Sequence, residues 1–451
     1  MVFREIFLTK NLLKIFLFVL FSTSVTHATV INLYPGDNLG EIVSSNPPGT
    51  SFIIKSGVHR RQSINPKDNM IFTGESGAIL DGENVTEYAF ETLASIPKNV
   101  TIQGLIIQNY IPPLNLGAIQ ADNGADWLVQ NNEIRNNANI GLKVGARMRV
   151  LNNFVHHNGV SGINGYRADG VLLEGNEVSF NNPSNTFIDP SLAGESGVKF
   201  FEVNNLVARG NNIHDNNGIG IWCDTCYLNQ LIENNTLINN IGGVWQEIGY
   251  SAIIRNNIVS NSGVARPLPG WLENAGIMVT NSPDVEIYGN TLDNNANGIT
   301  AMQSTGYETS GLYGPRELKN LYVHNNTVTQ KNGLVGLSQI VGDNSYYTSK
   351  NNRFVDNTYY LGISTNYFTW SGQNLNESGW KSAGQDVNGV FNYPPKPLVG
   401  DLDLNHIVNT LDWSIMNSKW FTSDATADLN KDGKVNTIDF SLMNANWGKT
   451  W

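Results

Sequence analysis

GVKFFEVNNLVARGNNIHDNNGIGIWCDTCYLNQLIENNTLINNIGGVWQEIGY, residues 197–250, decides how this chain is read. Three times in it a glycine is followed by a β-branched residue and then by large or charged ones. The copies are Gly197-Val198-Lys199, Gly220-Ile221-Trp222-Cys223-Asp224 and Gly243-Val244-Trp245-Gln246-Glu247. Between them runs a second phrase, Val207…Asn212-Ile213 and Ile232…Asn235-Thr236-Leu237. Phrases that return at a fixed interval mark a solenoid, in which each repeat is one structural turn. On successive turns, Lys199, both tryptophans, Asp224 and Glu247 stack on one outer face.

From about Asn99 to Phe354 the same pattern recurs: apolar-x-x-Asn-x-apolar, then Gly-apolar. Its asparagine is read at Asn132, Asn153, Asn176, Asn212, Asn235, Asn257, Asn290, Asn326 and Asn352, with the shorter steps at 21 to 23 residues. That length suits a coil of three short strands joined by turns. A lone coil cannot bury its own face, so stacking supplies the core. Asparagine suits the turns because it tolerates left-handed backbone, and amides in register can hydrogen-bond from coil to coil. Earlier, Thr50–Ile54, Gly57–His59, Met70–Phe72 and Ala78–Leu80 read as strands. The amphipathic helices of helical solenoids and the consensus of leucine-rich repeats are both absent. The coil phrase resembles that of right-handed parallel β-helix proteins, the pectate lyase-like architecture, over roughly residues 30–370. That resemblance implies an all-β solenoid and is weak on activity, since many chemistries share the fold. Three coils carry insertions, 183–195, 264–274 and 304–317, expected to reach the substrate.

The chain has 451 residues, a net charge of −11 and 40% hydrophobic residues, enough for a large core and more than one domain. An acidic balance argues against nucleic acid and for calcium. Residues 1–28 read as a secretory signal: Arg4, Lys10 and Lys14, the apolar run Ile15–Phe21, and Thr26-His27-Ala28 at the cleavage site. No later stretch could span a bilayer, so an exported, extracellular protein is expected, held on a cell-surface complex. Cys223 and Cys226 cannot make a disulfide framework. A bridge between them requires a turn, because an extended three-residue step spans about 10 Å. A zinc site requires more ligands than one CxxC offers. Cys223 is therefore expected in the core.

Residues 371–399 read as a cap and linker, with Trp370 and Trp380 closing the solenoid and a stiff Tyr393–Pro397 run. The second domain, 400–451, is read from a duplicated loop and helix. Asp428, Asn430, Asp432, Lys434, Asn436 and Asp439 occupy the positions of an EF-hand-like calcium loop, with Gly433 at the sharp turn and Lys434 where a carbonyl ligand falls. Asp401, Asp403, Asn405, Asn409 and Asp412 repeat the spacing, with His406 where glycine is expected. A helix follows each loop, Thr410–Asn417 and Thr437–Asn444. This duplication resembles a type I dockerin, which implies a cohesin-bearing scaffold as partner. The family places its partner-reading residues at Thr410, Leu411, Thr437 and Ile438, two nearly identical sets that imply two-way docking.

Period-two alternation puts two rows on the outer face of the Gly-apolar strands. The first is Lys143, Asn164, Lys199, Trp222, Trp245, Met278; the second is Gly145, Tyr166, Phe201, Asp224, Glu247, Thr280. Coils lie about 4.8 Å apart. Asp224 and Glu247 are the candidate acid and base or nucleophile of a glycoside hydrolase acting on a polysaccharide. Alternatively, Lys199 with calcium in the groove serves a lyase or epimerase of uronic-acid polymers. A third reading is a non-catalytic polysaccharide-binding protein. Trp222, Trp245, Tyr166, Tyr250 and Asp189 are the candidate sugar contacts. His156, His157 and His214 read as structural.

Overall fold

The computed structural model describes residues 29–184, 196–264, 274–308, 311–362, 365–394 and 397–450. The expected signal, residues 1–28, and Asp189 lie outside the described residues. From Val30–Leu33 to Val390–Asn392 the chain winds through three long sheets of 13, 13 and 12 strands. Each strand pairs with its counterpart one coil away. The pairings are parallel throughout the described residues except the last of the third sheet, where Gln373–Leu375 folds back antiparallel on Phe368–Trp370. The strand Val390–Asn392 adds a final rung to the second sheet, against Thr358–Leu361.

Short β-branched runs give strands whose alternate side chains point inward, and the coils bury them in columns. Val198, Ile221, Val244 and Ile277 are successive register partners and all lie in the core. Each such side chain contributes about 1.5–3 kcal/mol on burial. Glycine precedes them because the coils close up there: a Cβ on Gly243 would lie 2.1 Å from the Gly276 carbonyl oxygen. At the N-terminal end the helix Leu39–Ser45, capped by Asn38, packs Leu39 and Val43 onto the core. At the other end Trp370 and Trp380 are buried, with Phe368 stacked on Trp380 at 4.8 Å. Covered ends hide sheet core and edges that would otherwise invite pairing.

Asparagine ladders tie the coils together. Asn132, Asn153, Asn176, Asn211, Asn235, Asn257, Asn290, Asn326 and Asn357 donate in sequence, each Nδ2 to the next Oδ1 at 2.9–3.0 Å. Two expected members are corrected. Asn211, not Asn212, is the rung, since Asn212 is already the exposed first residue of the Asn212–His214 strand. Asn357, not Asn352, is the last, because Asn352 sits at a different corner and accepts from the Leu321 N–H. A second ladder, Asn137, Asn158, Asn181, Asn216 and Asn240, runs along the other edge of the second sheet and escaped the sequence reading.

Cys223 and Cys226 are bridged, and the turn that such a bridge requires is present. Thr225 adopts φ 54°, which turns the chain and brings the two Cα atoms to 5.5 Å. Both cysteines are buried, so Cys223 is a core residue as well.

The C-terminal segment has its own small core of Val408, Met416, Ala427, Val435 and Met443. Its helices, Thr410–Ser418 and Thr437–Asn444, start at Asn409 and Asn436. Each asparagine forms a capping box with the aspartate three residues on, Asp412 or Asp439.

Candidate functional site

Four strands of the third sheet carry the site: Ser196–Phe201, Ile219–Asp224, Gly242–Glu247 and Ala275–Thr280. Lys199, Trp222, Trp245 and Met278 are register partners, and so are Phe201, Asp224, Glu247 and Thr280. Lys199, Trp222 and Trp245 each reach diagonally to the second row one coil on. The Lys199 Nζ lies 3.0 Å from Asp224 Oδ2. Trp222 Nε1 donates to Glu247 Oε2 at 2.7 Å, and Trp245 Nε1 donates to Thr280 Oγ1 at 3.0 Å. Lys199 is 5% exposed, far more enclosed than an edge lysine.

The indoles stack on each other at 4.9 Å and 8° between planes. The Lys199 ammonium covers Trp222, 3.4 Å from the ring centroid. Ile219, Ala275 and Met278 form an outer apolar cluster against which both tryptophans pack. Behind the carboxylates the backbone is strained. Thr225 and Ile248, directly after Asp224 and Glu247, hold φ of 54° and 49°. The same turn follows the neighbouring strands, where Arg167, Glu202 and Asn281 hold φ of 52°, 53° and 47°, so it belongs to the corner of the coil, and it is costly where the residue is β-branched. Here it is held by Thr225 N–H to Glu247 carbonyl and Ile248 N–H to Thr280 carbonyl bonds of 2.7 and 2.8 Å. The Cys223–Cys226 bridge brackets the same turn.

Toward the N-terminal side the rows border a cleft of about 220 Å³ lined by Asn115, Lys143, Asn164, Tyr166, Lys199 and Asp224, with Phe201. Lys143 donates to the Asn115 carbonyl at 2.6 Å, and burial lowers its pKa below the ordinary lysine value. Tyr166 is 40% exposed; it stacks on Phe201 at 5.5 Å and carries the Arg167 guanidinium 4.8 Å from its ring centroid. Tyr250 is only 3% exposed; its hydroxyl donates to the Gly314 carbonyl at 2.8 Å and accepts from Tyr313 N–H at 3.1 Å. It anchors the insertion that follows residue 304, and Tyr313 of that insertion packs edge-on against Tyr227 and Tyr250. Asn115 and Lys143 were not singled out as site residues; Lys143 stood in the first outward row, and nothing local marks Asn115, 28 residues before it.

The histidines sit on the second sheet, apart from these rows. His214 contacts Asp215 and Glu177, and His156 contacts His157 and Glu133.

In the C-terminal segment one carboxylate oxygen from each of Asp401, Asp403 and Asp412 falls within a 4.8 Å cluster, a hard oxygen set suited to calcium. Asp412 Oδ1 accepts the Leu402 N–H at 2.6 Å, and Asp439 Oδ1 the Leu429 N–H at 2.7 Å, so both loops fold alike. Desolvation, with the charges of Asp412 and Asp401, raises the pKa of Asp403. His406 holds φ 74° where Gly433 holds 91°. Asn405, Asn430, Asp432 and Lys434 are exposed in the two loops, Asn409 and Asn436 cap the helices, and Thr410, Leu411, Thr437 and Ile438 are exposed on the helix starts.

Residues 117–268 match the family described as right handed beta helix region, and residues 399–446 the dockerin type I domain. Type I dockerin domains bind calcium. No curated protein matches the chain in sequence. Among solved structures, the A-module of a mannuronan C-5 epimerase from Azotobacter vinelandii is similar at TM-score 0.50 and 14% identity, over 79% of this chain and 94% of that one. An alginate lyase of family PL6 gives 0.45 at 14% identity over 82% and 57%, and a family 28 exopolygalacturonase from Yersinia enterocolitica 0.40 at 11% over 81% and 78%. At such identities the likeness concerns the fold alone. No helix among the described residues is long and apolar enough to cross a membrane.

Proposed function

We propose that this chain, a right-handed parallel β-helix with a C-terminal type I dockerin domain, is an exported enzyme that cuts a polysaccharide laid along its third sheet. Its dockerin, from residue 400, would fasten it through two calcium loops to a cohesin-bearing scaffold outside the cell. The observation that carries the reading is the pair Asp224 and Glu247, in register on adjacent coils and each with its own donor.

Two carboxylates facing one glycosidic bond suffice for hydrolysis. One protonates the departing oxygen; the other activates water or attacks the anomeric carbon. Neighbouring coils lie about 4.8 Å apart, the short separation that favours retention of configuration. Tyr166, 40% exposed at the edge of the adjoining cleft, offers the sugar its hydroxyl and ring edge.

A second reading has an observation of its own. Lys143 and Lys199 border one cleft beside Asp224, and burial lowers the Lys143 pKa. Such a cleft suits a uronate chain, with a lysine removing the proton beside a carboxylate that calcium neutralises, as in a lyase or an epimerase.

Product release from neutral and uronate polysaccharides tests both, using wild type and Glu247→Gln, with and without chelator. Reducing ends without ultraviolet absorbance, lost in the variant and insensitive to chelator, support hydrolysis. Absorbing, calcium-dependent products move the assignment to elimination, and solvent exchange of a sugar proton without cleavage to epimerisation. Polymer binding without product from any substrate leaves a dockerin-borne binding protein.

A further inference from the structure

Trp222 looks, from its place on the outer row, like a platform for a sugar ring. A platform requires a free aromatic face, and both faces of this indole are taken. One carries the Lys199 ammonium, 3.4 Å from the ring centroid; the other lies on Trp245, 4.9 Å away and nearly parallel. Neither neighbour is loosely held. Lys199 is enclosed and fixed at its tip by Asp224, and Trp245 is fixed by its own bond to Thr280. What Trp222 presents toward the second row is its N–H, 2.7 Å from Glu247 Oε2.

The same geometry recurs on three consecutive coils, always from a first-row donor to a second-row oxygen one coil on: Lys199 to Asp224, Trp222 to Glu247, Trp245 to Thr280. Repetition with three different donor–acceptor pairs shows that the coil offset itself sets the direction of reach. At two of the three coils the acceptor is a carboxylate. Glu247 has a flexible side chain, and an indole held on both faces is a rigid donor for it. A reacting carboxylate must be held close to its working geometry, since displacement by about 1 Å costs on the order of a hundredfold in rate.

We infer that Trp222 is a positioning residue, which holds Glu247 toward the substrate through its indole N–H and makes no stacking contact with sugar. The inference rests on the reading of Glu247 as one of the two reacting carboxylates. It moves sugar recognition to the neighbouring cleft, where Asn164 and Lys143 join the exposed edge of Tyr166.

The test is steady-state kinetics of Trp222→Phe on a polymer the wild type cleaves. Phenylalanine keeps an aromatic ring between Lys199 and Trp245 and removes the N–H donor, together with part of the indole's contact area. Expected are a fall in kcat of about ten- to a hundredfold, KM within about twofold, and a displaced limb in the pH–rate profile. In a Glu247→Gln background the same change should cost nothing further, because the two act as one unit. Unchanged kcat with raised KM, or additive losses in the double variant, would overturn the inference and restore the platform. Trp222→His, which restores a ring N–H, is measured beside it; kcat no higher than in Trp222→Phe would also overturn the inference. A wild type that cuts no polymer defeats the enzyme reading itself, and this inference with it. A wild type that cuts, with Trp222→Phe its equal, defeats the inference alone.

Discussion

Replacing His406 by glycine is expected to tighten calcium at the first dockerin loop. His406 holds φ 74°, at the sharp turn where the second loop has Gly433 at 91°. Its N–H closes the loop onto Asp401 Oδ2 at 3.1 Å, as Gly433 N–H does onto Asp428 at 2.7 Å. Left-handed backbone costs a side-chain-bearing residue roughly 1–2 kcal/mol, and histidine falls toward the low end. The ion organises the loop, so that cost falls on binding. Glycine removes it but gives the unbound loop more freedom, which returns about 0.5–1 kcal/mol. The net gain is at most about 0.5 kcal/mol, or up to roughly twofold in affinity. The reverse change is a clean control, because a Cβ on Gly433 would meet nothing within 4 Å. Gly433→His should therefore weaken the second site by a similar factor through backbone strain alone. Calorimetric calcium titration of the full chain reads both sites, and the double exchange should invert their order. If His406→Gly and Gly433→His leave both affinities untouched, the calcium-bound loops do not hold these left-handed turns and the reasoning fails.

Three further outcomes follow from named contacts. Asn235→Ala should destabilise the solenoid by about 2–4 kcal/mol, since Asn211 loses its buried acceptor and the ladder breaks, while Asn212→Ala should stay within about 0.5 kcal/mol; denaturant unfolding separates them. Loss of the Cys223–Cys226 bridge in a double alanine variant should cost about 2 kcal/mol on loop entropy and lower activity, because the bridge brackets the turn after Asp224; an unchanged melting temperature and rate would remove the staple from the account. Burial, opposed by Glu133, lowers the pKa of His156. The unfolded chain therefore takes up that proton first, and stability should fall as pH drops below about 6.5, levelling off below the folded value. His156→Gln should flatten that part of the stability profile.

Much of the site was legible because the coil is a local repeat. The Gly-apolar phrase sets which residue points out, so both outer rows, from Lys199 to Met278 and from Phe201 to Thr280, agree with the observed register. The duplicated loops were legible for the same reason: their acidic and amide residues lie within twelve positions of one another. The asparagine rung slipped by one at Asn211-Asn212 because two identical neighbours carry no information on which one turns inward. The disulfide depended on a left-handed Thr225, a conformation that no residue type there announces.

The sequence by itself determined the parallel solenoid, the stacked carboxylates and the calcium loops, since these follow from spacing along the chain. Only the tertiary structure decided what each side chain touches. It gave Lys199 to Asp224 and Trp222 to Glu247, covered both faces of Trp222, and set Tyr250 under a loop 64 residues further on. The physical reason is that backbone periodicity fixes the direction of a side chain. Its partner is chosen by rotamer, burial and close packing among coils that are distant in sequence.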